Sequence, residues 1–291
     1  MLMGLIKSMR PRQWTKNVFV LAALVFDRQL NNPLAVSRTL AGLIIFCFIS
    51  SAVYLINDVK DIEADRAHPR KKNRPIASGQ LPVRVAVISA VIIIMFSLAA
   101  SIVLSPLFAM VVVLYLIINV LYSFWLKHVP LIDVLLISAG FVLRVSAGVT
   151  LIVVERFSPW LFAVTTLFTL YLGFGKRRAE LATLSKDQAQ SHRRVLDGYT
   201  IPLLDQLITI VSSTTIMAYS LYTFSAVNLP ENHTMMLTIP FVIYGIFRYL
   251  YLIQVKGAGG APEDMVLSDR PLQITVALYC LAVLLIFYIF S

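Results

Sequence analysis

The chain of 291 residues is 58% hydrophobic and only 14% charged, with a mean hydropathy of +0.81. This composition excludes an ordinary soluble domain and indicates a polytopic membrane protein. A formal net charge of +10 at pH 7 would suggest a nucleic-acid partner for a soluble protein. Here the basic residues cluster between apolar segments, so we expect a membrane surface and no nucleic acid.

Apolar segments recur along the chain, and about 17–25 residues suffice for a transmembrane helix. We therefore predict an all-α integral membrane protein that forms a single polytopic domain over residues 1–291. The first predicted helix is the weakest, because Asp27 and Arg28 interrupt it. The predicted bundle has nine helices, at about 15–31, 36–58, 83–104, 107–126, 131–153, 158–178, 201–226, 235–253 and 272–290.

Lysine and arginine residues are distributed unevenly between the two sides of these helices. With the N-terminus inside, most of the 25 lie on the cytoplasmic side. The positive-inside rule therefore predicts a multi-pass protein of the cell membrane with its N-terminus in the cytoplasm. The three long connections, at about 59–82, 179–200 and 254–271, fall on the same side, so we expect the chemistry there.

The first long connection begins with an acidic motif. Asp58, Asp61 and Asp65 have the spacing i, i+3, i+7, which predicts that three carboxylates share one helical face. Such oxygen ligands suit Mg²⁺, which often completes its shell with substrate phosphates. We predict a Mg²⁺ site on these aspartates, with the amide of Asn57 beside it. The alternative is a solvated acidic helix end paired with nearby basic residues.

Basic residues follow the acidic motif directly. Arg74 is the best candidate for substrate contact, because it lies where the chain must turn back into the next helix. The others would otherwise anchor the loop on anionic lipid; they are Arg66, Arg70, Lys71 and Lys72.

The stretch NDVKDIEADRAHPRKKNRPIASG, residues 57–79, resembles the N-D-x-x-D-x-x-x-D and R-P-x-x-S-G pattern of the UbiA prenyltransferase superfamily. The resemblance implies a nine-helix bundle whose active site opens to the cytoplasm. It also implies that Mg²⁺ on the aspartates binds a diphosphate. Common members pass a polyprenyl group to an aromatic acceptor.

The corresponding second motif departs from that pattern. Aromatic prenyltransferases of the superfamily carry further aspartates after the sixth helix, whereas this chain has YLGFGKRRAELATL at 171–184, with Lys176, Arg177, Arg178 and Glu180. Arg and Lys bind phosphate directly, without a metal. The motif therefore predicts a second phosphorylated substrate. The alternative is that these cations only mark the cytoplasmic end of a transmembrane helix, as the positive-inside rule predicts.

Two further segments, RPRQWTKN at 10–17 and PEDMVLSDRP at 262–271, resemble a phosphoribosyltransferase branch of the superfamily. The resemblance implies that the donor is phosphoribosyl pyrophosphate and the acceptor a polyprenyl phosphate such as decaprenyl phosphate. The product would be a lipid-linked precursor of arabinose donors for the cell wall. In this interpretation the catalytic residues are Asp58, Asp61, Asp65, Lys176 and Arg177.

Other polar residues near the cytoplasmic ends of helices, or within them, are secondary candidates. Asp133 and Arg144 follow one face of the fifth predicted helix, and an intramembrane arginine is a functional hypothesis by default. The alternative, given equal weight, is that Arg144 only pairs with a carboxylate or with carbonyl groups at a helix end. The predicted substrate-binding residues are Lys16, Asn57, Arg74, Tyr122, Lys127, Arg144, Arg178, Glu180, Asp269 and Arg270.

Two other functions are compatible with the sequence. One is an aromatic polyprenyltransferase whose second motif has drifted, with only Glu180 and Asp187 as carboxylates there. The other is an organic-anion carrier with Arg144 and the basic loops as its path, although three aspartates on one face would repel such a substrate. Small residues permit close helix contact, so a homo-oligomer is possible but not specified.

Overall fold

The computed structural model describes residues 1–68, 71–153, 159–184, 194–226, 229–258 and 262–289, and all regular secondary structure in these ranges is helical. The chain forms two compact units, Met1–Glu155 and Arg156–Ser291. Arg70, Asp187 and much of the predicted connection at 179–200 lie outside the described residues.

The first unit is built around four long helices joined by short ones. The long helices α3 and α5 pack against each other, as do α6 and α7. In chain order the α-helices are α1 (Leu2–Ser8), α2 (Ala22–Phe26), α3 (Pro33–Lys60), α4 (Ile62–Ala67), α5 (Val83–Leu104), α6 (Pro106–Phe124) and α7 (Ile132–Val149).

The N-terminal segment differs from the predicted first helix at 15–31. It is a 3₁₀ helix over Pro11–Leu21, followed by the short α2. Polar side chains explain the departure, because Trp14 and Asn17 turn inward and hydrogen-bond to α3 instead of facing lipid. This segment will be called the N-terminal 3₁₀ segment.

The core of the first unit is apolar, with buried residues from α3, α6 and α7 and partly buried side chains of α5 packed against them. Phe46 contacts the rings of Phe108 and Tyr115, with centroids 5.9 and 5.2 Å away. Gly148 lets α7 approach the N-terminal 3₁₀ segment, since a Cβ there would collide with the carbonyl oxygen of Val20. The cluster comprises Val20, Phe46, Ile49, Val53, Phe108, Val112, Tyr115, Leu143, Ala147 and Leu151.

Four long helices begin at a polar N-cap followed by proline. The cap side chain accepts a hydrogen bond from an otherwise unsatisfied backbone N–H, and the proline in the first turn has no N–H to lose. These caps and prolines fix where the four helices begin. The cap and proline pairs are Asn32 and Pro33, Ser105 and Pro106, Thr200 and Pro202, and Asp269 and Pro271.

The second unit contains two helix pairs, α8 with α9 and α10 with α12. The hydroxyl of Tyr171 donates to the carbonyl of Ile246 over 2.6 Å, which ties α8 to α10 inside the unit. The helices are α8 (Pro159–Leu184), α9 (Ile201–Ser225), α10 (Ile239–Gln254), α11 (Pro262–Ser268) and α12 (Arg270–Tyr288).

Seven helices in the described part of the chain are long and apolar enough to cross a membrane. They are α3, α5, α6, α7, α9, α12 and the helical stretch Thr234–Gln254 that contains α10. The first predicted span is the irregular N-terminal segment, and the sixth is α8, which continues past its apolar part to Leu184. The chain is therefore a multi-pass membrane protein.

Candidate active site

The acidic motif crosses a junction between two helices. α3 ends at Lys60 and α4 begins at Ile62, so Asp61 lies between the two helices. Helical hydrogen bonding nevertheless continues, because Asp61 N donates to Asn57 O over 2.9 Å and Asp65 N donates to Asp61 O over 2.8 Å. The backbone of the motif therefore follows a helical path through the junction.

Arg74 lies between two of the three aspartates. Its Nη1 atom is 3.1 Å from Asp58 Oδ1 and 2.6 Å from Asp65 Oδ2. Both aspartates are almost fully buried, with 2% and 3% of their surfaces exposed. Buried carboxylates require a compensating charge, and the guanidinium supplies it. The structure thus brings together three of the residues that the sequence singled out.

The loop after α4 holds Arg74 in place through apolar anchors. Ile76 and Leu81 are 1% and 0% exposed and belong to a cluster with α3 and α5. Gly79 has φ +80°, a conformation that glycine adopts at little cost. The turn therefore returns the chain to α5 while Arg74 points back to the acidic motif.

The third aspartate has a different partner. Lys127 Nζ is 2.5 Å from Asp61 Oδ1, and Lys127 is buried to 9% exposure. Lys127 belongs to a 3₁₀ turn, Leu126–His128, directly after α6. Tyr122, one turn earlier, is half-buried. Lys127 is one of the predicted substrate-binding residues, but its pairing with Asp61 was not predicted.

Arg10 is a site residue that the sequence analysis missed. It forms an ion pair with Asp58 through Nη2 and Oδ1, and its guanidinium lies 4.8 Å from the ring centroid of Tyr54. Its backbone is left-handed, with φ 54°, immediately before Pro11. The only sequence signal was its place at the start of RPRQWTKN.

The oxygen donors and their burial fit a hard divalent cation, since Asp58 and Asp65 already flank a positive charge. In the structure, the carboxylates of the acidic motif form ion pairs with side chains of arginine and lysine. Among the described residues, no three His, Cys, Asp or Glu side chains converge closely enough to hold a metal ion. A metal would have to replace the side-chain cations.

Arg144 is buried to 6% exposure within the first unit. It donates to Asn17 Oδ1 over 2.8 Å, to Gly140 O over 2.8 Å and to Tyr115 Oη over 2.9 Å. Asp133 is also buried, at the start of α7. The hydrogen bonds of Arg144 are therefore made to neutral groups. The predicted contact of Arg144 with substrate stays a prediction. The same holds for Lys16, which is half-buried.

The basic motif of the second unit lies inside α8 rather than in a loop. Arg177, 1% exposed, lies with Nη1 2.5 Å from Glu180 Oε2. Arg178 instead turns to α9, where its Nε is 2.5 Å from Asp205 Oδ1. Lys176 is half-buried. Consecutive residues on a helix point about 100° apart, and Arg177 and Arg178 accordingly have different partners.

The segment 262–271 forms α11 and the start of α12. Asp269 is the N-cap of α12, accepting from Leu272 N over 3.0 Å, and pairs with Arg248 Nη2 at 2.8 Å. The hydrogen bond from Arg248 holds the pKa of Asp269 below its usual value. Arg270 and Asp264 are exposed. The side chain of Glu263 is not among those that the structure describes.

The chain belongs to the UbiA prenyltransferase family, whose model matches residues 17–262. It is 36% identical to a decaprenyl-phosphate phosphoribosyltransferase of Corynebacterium glutamicum over 98% of this chain and 87% of the relative. It is 35% identical to a protein of the same name from Mycobacterium tuberculosis, over 93% of this chain and 90% of the relative.

The fold is similar to that of solved UbiA homologues. A homologue from Archaeoglobus fulgidus bound to GPP and Mg²⁺ superimposes with a TM-score of 0.74, covering 98% of this chain and 100% of that one at 18% identity. A digeranylgeranylglyceryl phosphate synthase superimposes with a TM-score of 0.67 at 17% identity, covering 98% of both chains. The expected UbiA-type fold is confirmed.

Proposed function

We propose that this protein transfers the 5-phosphoribosyl group of phosphoribosyl pyrophosphate to a polyprenyl phosphate and releases pyrophosphate. The observation that carries the proposal is the identity of 35–36% over at least 93% of the chain with proteins named decaprenyl-phosphate phosphoribosyltransferase. The product would be a lipid-linked ribose phosphate, a precursor for arabinose donors in cell-wall synthesis. The active site faces the cytoplasm in this proposal.

The distribution of charge in the two motifs supports this reaction over transfer to an aromatic acceptor. The acidic motif of the first unit has three aspartates at the spacing i, i+3, i+7 that suits a metal-bound diphosphate. In α8, between Pro159 and Leu184, Glu180 is the one carboxylate beside three consecutive cations. Cations at that position suit the phosphate of a lipid acceptor, whereas a second metal-bound diphosphate would need aspartates.

In the proposed reaction, Asp58, Asp61 and Asp65 would hold Mg²⁺, and the metal would supply positive charge to stabilise the leaving pyrophosphate. Arg74 and Lys127 bind oxygens of that group. The bond from ribose C1 to pyrophosphate breaks with its electron pair on the leaving oxygen. An oxygen of the lipid phosphate forms the new bond from the opposite face, so the configuration at C1 inverts.

The acceptor needs little help from a general base, because its phosphate is already an anion. Binding and orientation are therefore the main task of the second unit, and orientation can supply much of a rate enhancement. We assign this task to Lys176 and Arg177 of α8.

The test is product formation by purified protein in detergent with Mg²⁺, labelled phosphoribosyl pyrophosphate and polyprenyl phosphate. We expect pyrophosphate and a labelled lipid only when both substrates are present, and neither with Asp58→Asn. Glu63→Gln is the matched control, because Glu63 lies in the same segment with its side chain 81% exposed. Turnover of a polyprenyl diphosphate with an aromatic acid, and not of these substrates, would overturn the proposal.

A further inference from the structure

A groove of about 460 Å³ runs along the first unit between α3, α5 and α6. Its floor consists of side chains that are small or fully buried, since Leu55, Ala86 and Ala90 are 0%, 0% and 2% exposed. Along α5 the groove extends from Ala86 to Ile94, which is about 12 Å at 1.5 Å per residue. The small alanine side chains of α5 leave this space beside α3.

The groove lies on a lipid-facing side of the protein. α5, which supplies half of its lining residues, is long and apolar enough to cross a membrane, and only 17% of its apolar window is buried. Val87 and Val91, both in the lining, are 45% and 54% exposed. Apolar space within a bilayer contains no water, so a hydrocarbon chain has to fill the groove.

Two cations stand at one end of the groove. Lys60, the last residue of α3, is part of the lining, and its ammonium lies 5.0 Å from the ring centroid of Phe124. Arg84, in the first turn of α5, is exposed. It precedes Val87 by three residues and Val91 by seven, so it lies on the same side of the helix. This end of the groove is therefore basic.

The carboxylates near Lys60 in sequence have other partners. Asp61 pairs with Lys127, and Glu63 pairs with Arg66. Among the residues that the structure describes, neither Lys60 nor Arg84 forms an ion pair with a carboxylate. An apolar groove that ends at two such cations fits a lipid with an anionic phosphate, because the chain and the phosphate each meet a matching surface.

The two cations lie away from the acidic motif, where the reaction is proposed to take place. Lys60 follows Asp58 by two residues, so their side chains point about 160° apart around α3. Asp58 is 2% exposed and pairs with Arg10 and Arg74, whereas Lys60 is exposed. A phosphate at Lys60 is therefore on the opposite side of α3 from the acidic motif. This position suits a resident lipid of the bilayer and not a reacting substrate.

We infer that the groove binds one chain of an anionic phospholipid, whose phosphate is held by Lys60 and Arg84. The phosphate then bridges the end of α3 and the start of α5. Lipid bound in this way stabilises the contact between the two helices, because it binds the folded protein and not the unfolded chain.

The test measures lipid binding to the full-length protein by native mass spectrometry from detergent. The probes are dioleoyl phosphatidylglycerol and dioleoyl phosphatidylcholine, which have the same chains and differ in net charge. For the wild type we expect the first phosphatidylglycerol to bind at least about tenfold more tightly than the first phosphatidylcholine. The double variant Lys60→Gln, Arg84→Gln should lose this preference. Lys256→Gln should keep it, although it removes another exposed lysine beside an aromatic ring.

A second pair of variants tests the position of the chain. Val91→Trp fills the groove and should weaken the binding of phosphatidylglycerol several-fold. Ile88→Trp adds the same ring to α5 outside the lining and should bind as the wild type does. Both positions are more than half exposed, at 54% and 58%, so neither change disturbs the core. Elution as a single species by size exclusion is required of every variant.

Three results would overturn the inference. They are equal affinity of the wild type for the two lipids, a preference that survives in the double variant, and unchanged binding in Val91→Trp. A polyprenyl phosphate is the third probe. If it bound more tightly than phosphatidylglycerol and with the same dependence on Lys60, Arg84 and Val91, the groove would belong to the acceptor lipid instead. All these measurements concern binding alone, so their results are independent of the proposed reaction.

Discussion

Arg144 donates a hydrogen bond from Nε to Oδ1 of Asn17 over 2.8 Å, and both side chains are buried in the first unit. Asn17 in turn donates to Ser50 Oγ on α3 over 3.2 Å. α7 is thereby joined to α3 through the N-terminal 3₁₀ segment. The same segment begins beside Arg10, so the buried network and the acidic motif share one support.

Loss of this network should destabilise the protein. Arg144→Gln and Asn17→Leu each leave a buried polar partner without its hydrogen bond, which costs about 1–3 kcal/mol per group. Because both changes break the same bond, the double variant should be less destabilised than the sum of the two. Thermal unfolding in detergent measures this, and strictly additive effects would show that the two side chains act independently.

Arg177 and Arg178 should give different results although they are neighbours. Arg178 contacts Asp205 and the carbonyl of Ile253, both within the second unit. Arg178→Gln should therefore lower stability by about 1 kcal/mol, the upper range for a partly exposed ion pair. The KM for polyprenyl phosphate should stay within twofold of the wild type.

The comparison for that experiment is the pair Lys176→Gln and Arg177→Gln. Both should raise the KM for the lipid phosphate at least tenfold, because each removes a charge assigned to that anion. If Arg178→Gln raised the KM equally, the cations of α8 would attract the lipid phosphate through their combined charge and not through separate direct contacts.

The long apolar helices could be predicted closely from sequence, because hydrophobic length alone determines a membrane span. The segment predicted at 83–104 is α5, Val83–Leu104, and that at 201–226 is α9, Ile201–Ser225. The N-terminal 3₁₀ segment could not be predicted, since its geometry depends on bonds to Ser50 and Ser51 that are distant in sequence.

The acidic motif of the site could be predicted from the sequence, but the ion-pair partners of its residues could not. The regular spacing of the aspartates made the acidic motif visible, because local spacing sets which side chains share a face. The partners of charged residues were not visible, because they come from other elements: Arg10 reaches Asp58 from 48 positions away, and Lys127 reaches Asp61 from 66. Asp205, the partner of Arg178, was missed for the same reason.

Asp269 should contribute to stability in a manner that depends on pH. Its pKa is held below the usual value by Arg248, so its charged form favours the folded state. This contribution is fully present above the unfolded pKa, about 3.9 for Asp. It is lost as the pH falls through the lower folded pKa. Between pH 5 and pH 8 the pair should make no difference to the pH dependence of thermal unfolding.

Two substitutions separate the charge of Asp269 from its cap. Asp269→Asn keeps an oxygen for the N–H of Leu272 but removes the titration, so its loss of stability relative to wild type should shrink below pH 4. Asp269→Ala also removes the cap, which costs about 1 kcal/mol more. Equal stability of the two variants at pH 7 would show that the cap contributes nothing.

Gly148 should be more sensitive to substitution than Gly140, although both lie in α7. A Cβ at Gly148 would collide with the carbonyl of Val20, whereas one at Gly140 would meet Arg144 Nη1 at an ordinary 3.5 Å. Gly148→Ala must therefore displace the N-terminal 3₁₀ segment from α7. Because Arg10 immediately precedes that segment and pairs with Asp58, we expect lower thermal stability together with a higher KM for phosphoribosyl pyrophosphate. Gly140→Ala should change neither, and a Gly148→Ala variant with the KM of the wild type would show that Arg10 is held by Ser51 alone.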